Sequence, residues 1–184
     1  TLGWLVPREI ESQQEVRLAP GEAAKLWIDP YRSNEYLMLE NRDRSRGDSV
    51  LPGPGLLAMR VRSDKVIMAS SNTAQDVNSD SSAMGVEVIE ASGKQRIARR
   101  NSILPESQDL YGVASDSLTD AGPVALSKDG VPTGAWLRGI RVDGNDVVFQ
   151  ANPAPKRGYG ILSEDGPLFI FNDQQPQITL MMGL

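Results

Sequence analysis

The sequence predicts an all-β fold, a jelly-roll-like sandwich of two antiparallel sheets with long irregular loops. Three observations carry that expectation. Short apolar runs alternate with polar residues at period two, and glycine, proline, asparagine and aspartate separate them. No run of ten residues carries the apolar stripe of a helix.

The early strands are expected at Glu15 to Leu18, Ala24 to Ile28 and Tyr36 to Leu39, then at Leu56 to Val61 and Gly85 to Ile89. Each is short, rich in β-branched or large apolar residues, and bounded by turn formers. Later strands are expected at Ala135 to Val142 and Val147 to Ala151, then at Gly158 to Leu162, Leu168 to Phe171 and Gln177 to Met181. Two hairpins stand out. Asp143-Gly144 lies between two β-branched runs, and Ser163 to Pro167 precedes Leu168-Phe169-Ile170-Phe171, because aspartate and glycine tolerate positive φ. The stretches Ser70 to Ser82 and Arg99 to Asp120 read as long loops. The whole chain, 1–184, is expected to be one β-rich domain.

Composition narrows the chemistry. The chain has no cysteine and no histidine. That removes a disulfide framework, a thiol nucleophile, a Ser-His-Asp triad and a zinc site of imidazole or thiolate type. Carboxylate pairs, a serine-lysine dyad and oxygen-ligand metal sites stay open. Net charge is −5 with both signs interspersed, so the basic footprint of a nucleic-acid binder is missing. No apolar stretch approaches the length of a membrane span, and Thr1 to Glu11 lacks the pattern of a signal peptide. A soluble chain is expected.

One block is more specific. Glu35-Tyr36-Leu37-Met38-Leu39-Glu40-Asn41-Arg42, then Asp48, then Leu51-Pro52-Gly53-Pro54-Gly55-Leu56-Leu57, resembles a signature of immune inhibitor A-type secreted zinc metalloproteases. In that family "EYFLLENR" leads through a short polar loop to "LPGSGLLIWHVD". Leu2 to Pro7 is similar to the "LGWVKP" that follows the family's catalytic domain. Val77 to Asp80, Gly85 to Gly93 and Asp109 to Tyr111 resemble later blocks, and Asp129-Gly130, Thr133-Gly134 and Ile140 to Phe149 resemble the family's closing hairpin. The likeness covers 2–151 and leaves 152–184 as an extension. Met59-Arg60-Val61-Arg62 stands where the family has "WHVD", Ala91-Ser92-Gly93 where it has "ADG", and Met84 where it has histidine.

The resemblance implies a bacterial secreted or cell-surface protein and a role as the non-catalytic carboxy-terminal accessory domain of a zinc metalloprotease. Zinc would then belong to the catalytic domain, outside this sequence. The implied partners are that cognate catalytic domain and a protein substrate or cell-surface glycan. A stand-alone module binding carbohydrate or a receptor is the alternative.

Candidate residues follow from residue type and spacing. Glu40, Asn41, Arg42, Asp48, Pro52, Gly53 and Gly55 form the structural motif, with Glu40 expected to pair with Arg42 or another base and Asn41 to satisfy loop backbone. Asp76, Asn78, Asp80 and Glu87 match positions one, three, five and twelve of a calcium loop, although Ser81 replaces its turn glycine. Asp109, Asp116 and Asp120 make a second acidic group. Trp4, Trp27, Trp136, Tyr31, Tyr36, Tyr111 and Tyr159 are read as core aromatics, with a sugar platform as the alternative. Arg46-Gly47-Asp48 reads as an exposed turn before an adhesion signal.

Overall fold

A computed structural model describes residues 6–31, 34–42, 53–66, 77–78, 84–94 and 107–156. The expected strands and hairpin beyond 156 lie outside them, as do Trp4, Tyr159 and the Arg46-Gly47-Asp48 triplet.

The described chain is all-β, in two mostly antiparallel sheets. The first runs in the order β1 (Arg8–Ile10), β3 (Ala23–Trp27), β4 (Glu35–Arg42), β5 (Gly55–Arg62), β6 (Val86–Val88). The second runs β2 (Gln14–Leu18), β9 (Asp146–Asn152), β8 (Trp136–Asp143), β7 (Leu118–Thr119). Among the described strands only β1 and β3 pair in parallel. The chain crosses between sheets after β1, returns after β2, then builds the β3-β4-β5 meander.

The period-two pattern explains which residues turn inward. Val16 and Leu18 of β2, Ala24 and Leu26 of β3, Leu37 and Leu39 of β4, and Leu56 and Ala58 of β5 are buried. They join Leu137, Ile140, Val147, Phe149 and Ala151 in one core cluster drawn from both sheets. Phe149 is the largest fully buried side chain among the described residues and contributes on the order of 1.5–3 kcal/mol of transfer free energy.

β8 departs from simple alternation. Its register against β9 shifts between Arg138 and Arg141, a bulge at which Gly139 adopts φ +62°. The extra residue lets Leu137 and Ile140, three apart, both face the core. β1 and β7 were not foreseen. β1 is three residues long after Pro7, and its Glu9 accepts a short hydrogen bond from Trp27 Nε1. β7 is a two-residue pairing inside the stretch read as loop.

Candidate functional site

The core face of the first sheet is apolar in its middle and polar at both ends. At one end stands Asn41, 1 % exposed on β4. Its Nδ2 donates to Leu18 O at 2.8 Å and to Asn145 O at 2.9 Å, so one amide joins the end of β2 and the β8-β9 turn to the opposite sheet. Its Oδ1 is buried without a hydrogen-bond partner. Glu40 and Arg42, on the other face, pair at 2.9 Å as expected.

Gly55 opens β5 opposite Arg42. A Cβ there would sit 2.8 Å from Leu110 Cβ and 3.1 Å from Tyr111 O. That proximity allows Leu56 and Tyr111 to exchange backbone hydrogen bonds of 2.9 and 3.0 Å. The Gly53-Pro54 bond is cis. Asp48 and Pro52 lie outside the described residues.

Of the calcium set, Asp76 and Asp80 also lie outside the described residues. Asn78 uses its amide on Val86, donating to its carbonyl at 2.8 Å and accepting from its N–H at 3.0 Å. Glu87 lies on β6 opposite Arg60 and forms a short ion pair with it, and Lys128 Nζ stands 3.6 Å from the same oxygen. Among the described residues, no three carboxylates converge as a metal site.

The second acidic group is dispersed. Asp109 is buried and accepts from Ser92 Oγ at 3.1 Å. Asp120 accepts from the N–H groups of Thr133 and Gly134 at 2.8 and 2.7 Å, fastening a loop. Asp116 contributes its carbonyl to Ile140. The aromatics disperse as well. Trp27 and Tyr36 pack edge to face at 5.5 Å with Lys25 over both rings, Arg138 lies over Trp136, and Tyr111 is buried, where desolvation pushes its phenol pKa up. Tyr31 alone among the described aromatics is strongly exposed, at 45 %.

Tyr31 lines a cleft of about 530 Å³ at the other polar end of the first sheet, where Glu35 and Arg62 stand. One wall is the β3-β4 turn, held by Asp29, which accepts from the N–H groups of Tyr31 and Asn34 at 2.9 Å each. Asn34 in turn accepts from Asp64 N through its side chain and from Ser63 N through its carbonyl, fixing the turn to the end of β5. The facing wall is the loop of residues 127–134, closed by Ser127 Oγ donating to Val131 O at 2.7 Å and by the Asp120 clamp. Pro30, Pro132 and Pro155 complete rigid apolar sides.

The charged groups are asymmetric. Asp29, Glu35 and Asp129 line the cleft with Arg62 as the single described cation among its lining residues. Arg62 is shared between Glu35, 3.8 Å from Nε, and Asp64, 3.3 Å from Nη2. Glu35 accepts from Lys128 N at 3.3 Å. Burial pushes its carboxyl pKa up, and the charge of Asp129 pushes the same way. The sequence reading missed this cleft because its lining comes from four separated segments; Tyr31 was singled out as an aromatic, and Glu35 and Asp129 only as members of family-like blocks. No family model, curated protein or solved structure matches the chain.

Proposed function

We propose that this chain is the non-catalytic carboxy-terminal accessory domain of a secreted bacterial zinc metalloprotease of the immune inhibitor A type. In this reading it packs against the catalytic domain and aids recognition of a protein substrate or a surface. The observation that supports it is the coincidence of resemblance and architecture. Asn41 and Gly55, from the two halves of the most specific block, occupy positions where the fold needs an amide donor and a residue without Cβ. A motif kept for its structural role is what related folds share. A rigid antiparallel frame that carries loops suits a recognition role.

The test is the reading frame upstream of Thr1. A His-Glu-x-x-His helix signature in the same frame is the expected result, because that motif supplies two zinc ligands and a general base. Its absence from an uninterrupted frame overturns the reading. The exposed Tyr31 beside the cleft favours the second reading, a stand-alone surface-binding module for carbohydrate or a receptor, which that outcome would leave standing.

A further inference from the structure

We propose that the cleft between the β3-β4 turn and the 127–134 loop binds a basic side chain of a polypeptide, an ammonium or guanidinium carried on an aliphatic stem. Its walls and its charge point to the same ligand. Tyr31, Val131 and Pro132 present apolar surface at the mouth, and Val131 is 62 % exposed. A four-carbon stem fits such walls while its charged head seeks a carboxylate. Glu35 and Asp129 line the same cleft, and the one described lining cation, Arg62, is divided between Glu35 and Asp64.

Glu35 is 15 % exposed, and both guanidiniums that act on it are shared: Arg62, 3.8 Å away through Nε, also holds Asp64, and Arg60 is paired with Glu87. Asp129 makes no ion pair among the described residues and is exposed beside it. A cation entering the cleft would be attracted by both carboxylates, with water screening reduced at the partly buried Glu35 and retained at the exposed Asp129. A neutral sugar gains no such term. The Asp29 clamp holds Tyr31 and Asn34 and the Asp120 clamp holds Thr133 and Gly134, which lowers the ordering cost at these described residues.

The source of the side chain, a substrate polypeptide, rests on the accessory-domain reading; the chemistry of the cleft does not. The experiment is an NMR titration of the full chain with Nα-acetyl-lysine methylamide, Nα-acetyl-arginine methylamide and Nα-acetyl-norleucine methylamide, which keeps lysine's four-carbon stem and lacks its ammonium. The two cations are expected to shift the amides of Tyr31, Asn34 and the 129–134 segment, with norleucine at least about tenfold weaker. Asp129→Asn is expected to weaken the cations roughly threefold to tenfold without altering the rest of the spectrum, and added salt is expected to weaken them too. Equal binding of norleucine, unchanged affinity in Asp129→Asn, or N-acetylglucosamine shifting these amides while the cations do not, each overturns the proposal. Failure here with a His-Glu-x-x-His signature upstream sinks the cleft ligand alone. Success without that signature sinks only the accessory-domain reading.

Discussion

The side-chain amide of Asn41 donates at 2.9 Å to the carbonyl oxygen of Asn145, a residue 104 positions further along the chain and in the other sheet's hairpin turn. The same nitrogen donates to Leu18 O. Asn41→Ala therefore leaves two carbonyls without this donor at the sheet junction and should cost about 2–4 kcal/mol. Asn41→Asp should be worse at neutral pH, because an ionised carboxylate would face those carbonyls. Its folded pKa would be raised, so stability should recover as pH falls and the acid regains a proton to donate. Urea denaturation of both variants at pH 5 and pH 7 checks the sign.

Two glycines separate crowding from backbone conformation. At Gly55 a methyl group meets Leu110 Cβ at 2.8 Å, so Gly55→Ala must push the 110–111 segment away from β5 and should cost about 1–3 kcal/mol, with backbone strain in addition. At Gly144 nothing lies within 4 Å, and only φ +64° opposes a side chain. Gly144→Ala should cost about 1 kcal/mol. Denaturation midpoints at unchanged m-value measure both. A Gly55→Ala as mild as Gly144→Ala would show that the Leu110 contact yields freely.

How much of this was legible depended on whether the signal was local. β2, β3, β4, β5, β6, β8 and β9 were readable because each is a short apolar-rich run between turn formers, and Asp143-Gly144 marks its own turn. The Gly139 bulge was not, since Leu137 and Ile140 break the period that defines the strand. β1 gains its place from parallel pairing with β3, an interaction no three-residue string declares. Glu87 was read by spacing as a metal ligand, whereas register sets it opposite Arg60. The pairing of Glu40 with Arg42 was readable because they are neighbours on one face; the reach of Asn41 to Leu18 and Asn145 was expected only as loop contacts of unknown partner. The cleft depends on segments near 30, 62, 130 and 155 meeting, and that is a property of topology.

The pH dependence of Glu35 follows from its raised pKa, caused first by burial. Above the unfolded midpoint the folded state still holds this proton, so stability is lost as pH rises from the ordinary carboxylate range through the raised value. The groups acting on Glu35 are Arg60 and Arg62, which oppose the shift, Asp129, which adds to it, and Lys128 N–H, which donates to the carboxylate. Glu35→Gln keeps an acceptor for Lys128 N–H and removes the titration. The difference in stability between Glu35→Gln and the parent should move in favour of the variant as pH rises across that window. A difference that stays flat with pH would mean that Glu35 does not titrate abnormally.

The pair of Arg60 and Glu87 is the most buried ion pair among those described, with side chains 6 % and 10 % exposed. Arg60 Nη1 also donates to Ala125 O at 3.0 Å and Leu126 O at 3.2 Å, fastening the loop that leads into the cleft wall. Glu87→Ala removes the main compensation for a buried guanidinium and should cost about 3–5 kcal/mol. Arg60→Met should cost a similar amount, since it leaves Glu87 with Lys128 at 3.6 Å and the two carbonyls without their donor. Replacing both by apolar residues removes both charges together, so the double variant should fall short of the sum of the singles by about 2 kcal/mol or more. Lys128→Ala should cost less than about 1 kcal/mol, because its 20 % exposed side chain is the more loosely placed partner. A double-mutant cycle measures the coupling directly. Additive single and double effects would mean that Arg60 acts through its carbonyl contacts and that the ion pair contributes little of the attachment between β5 and the 125–128 loop.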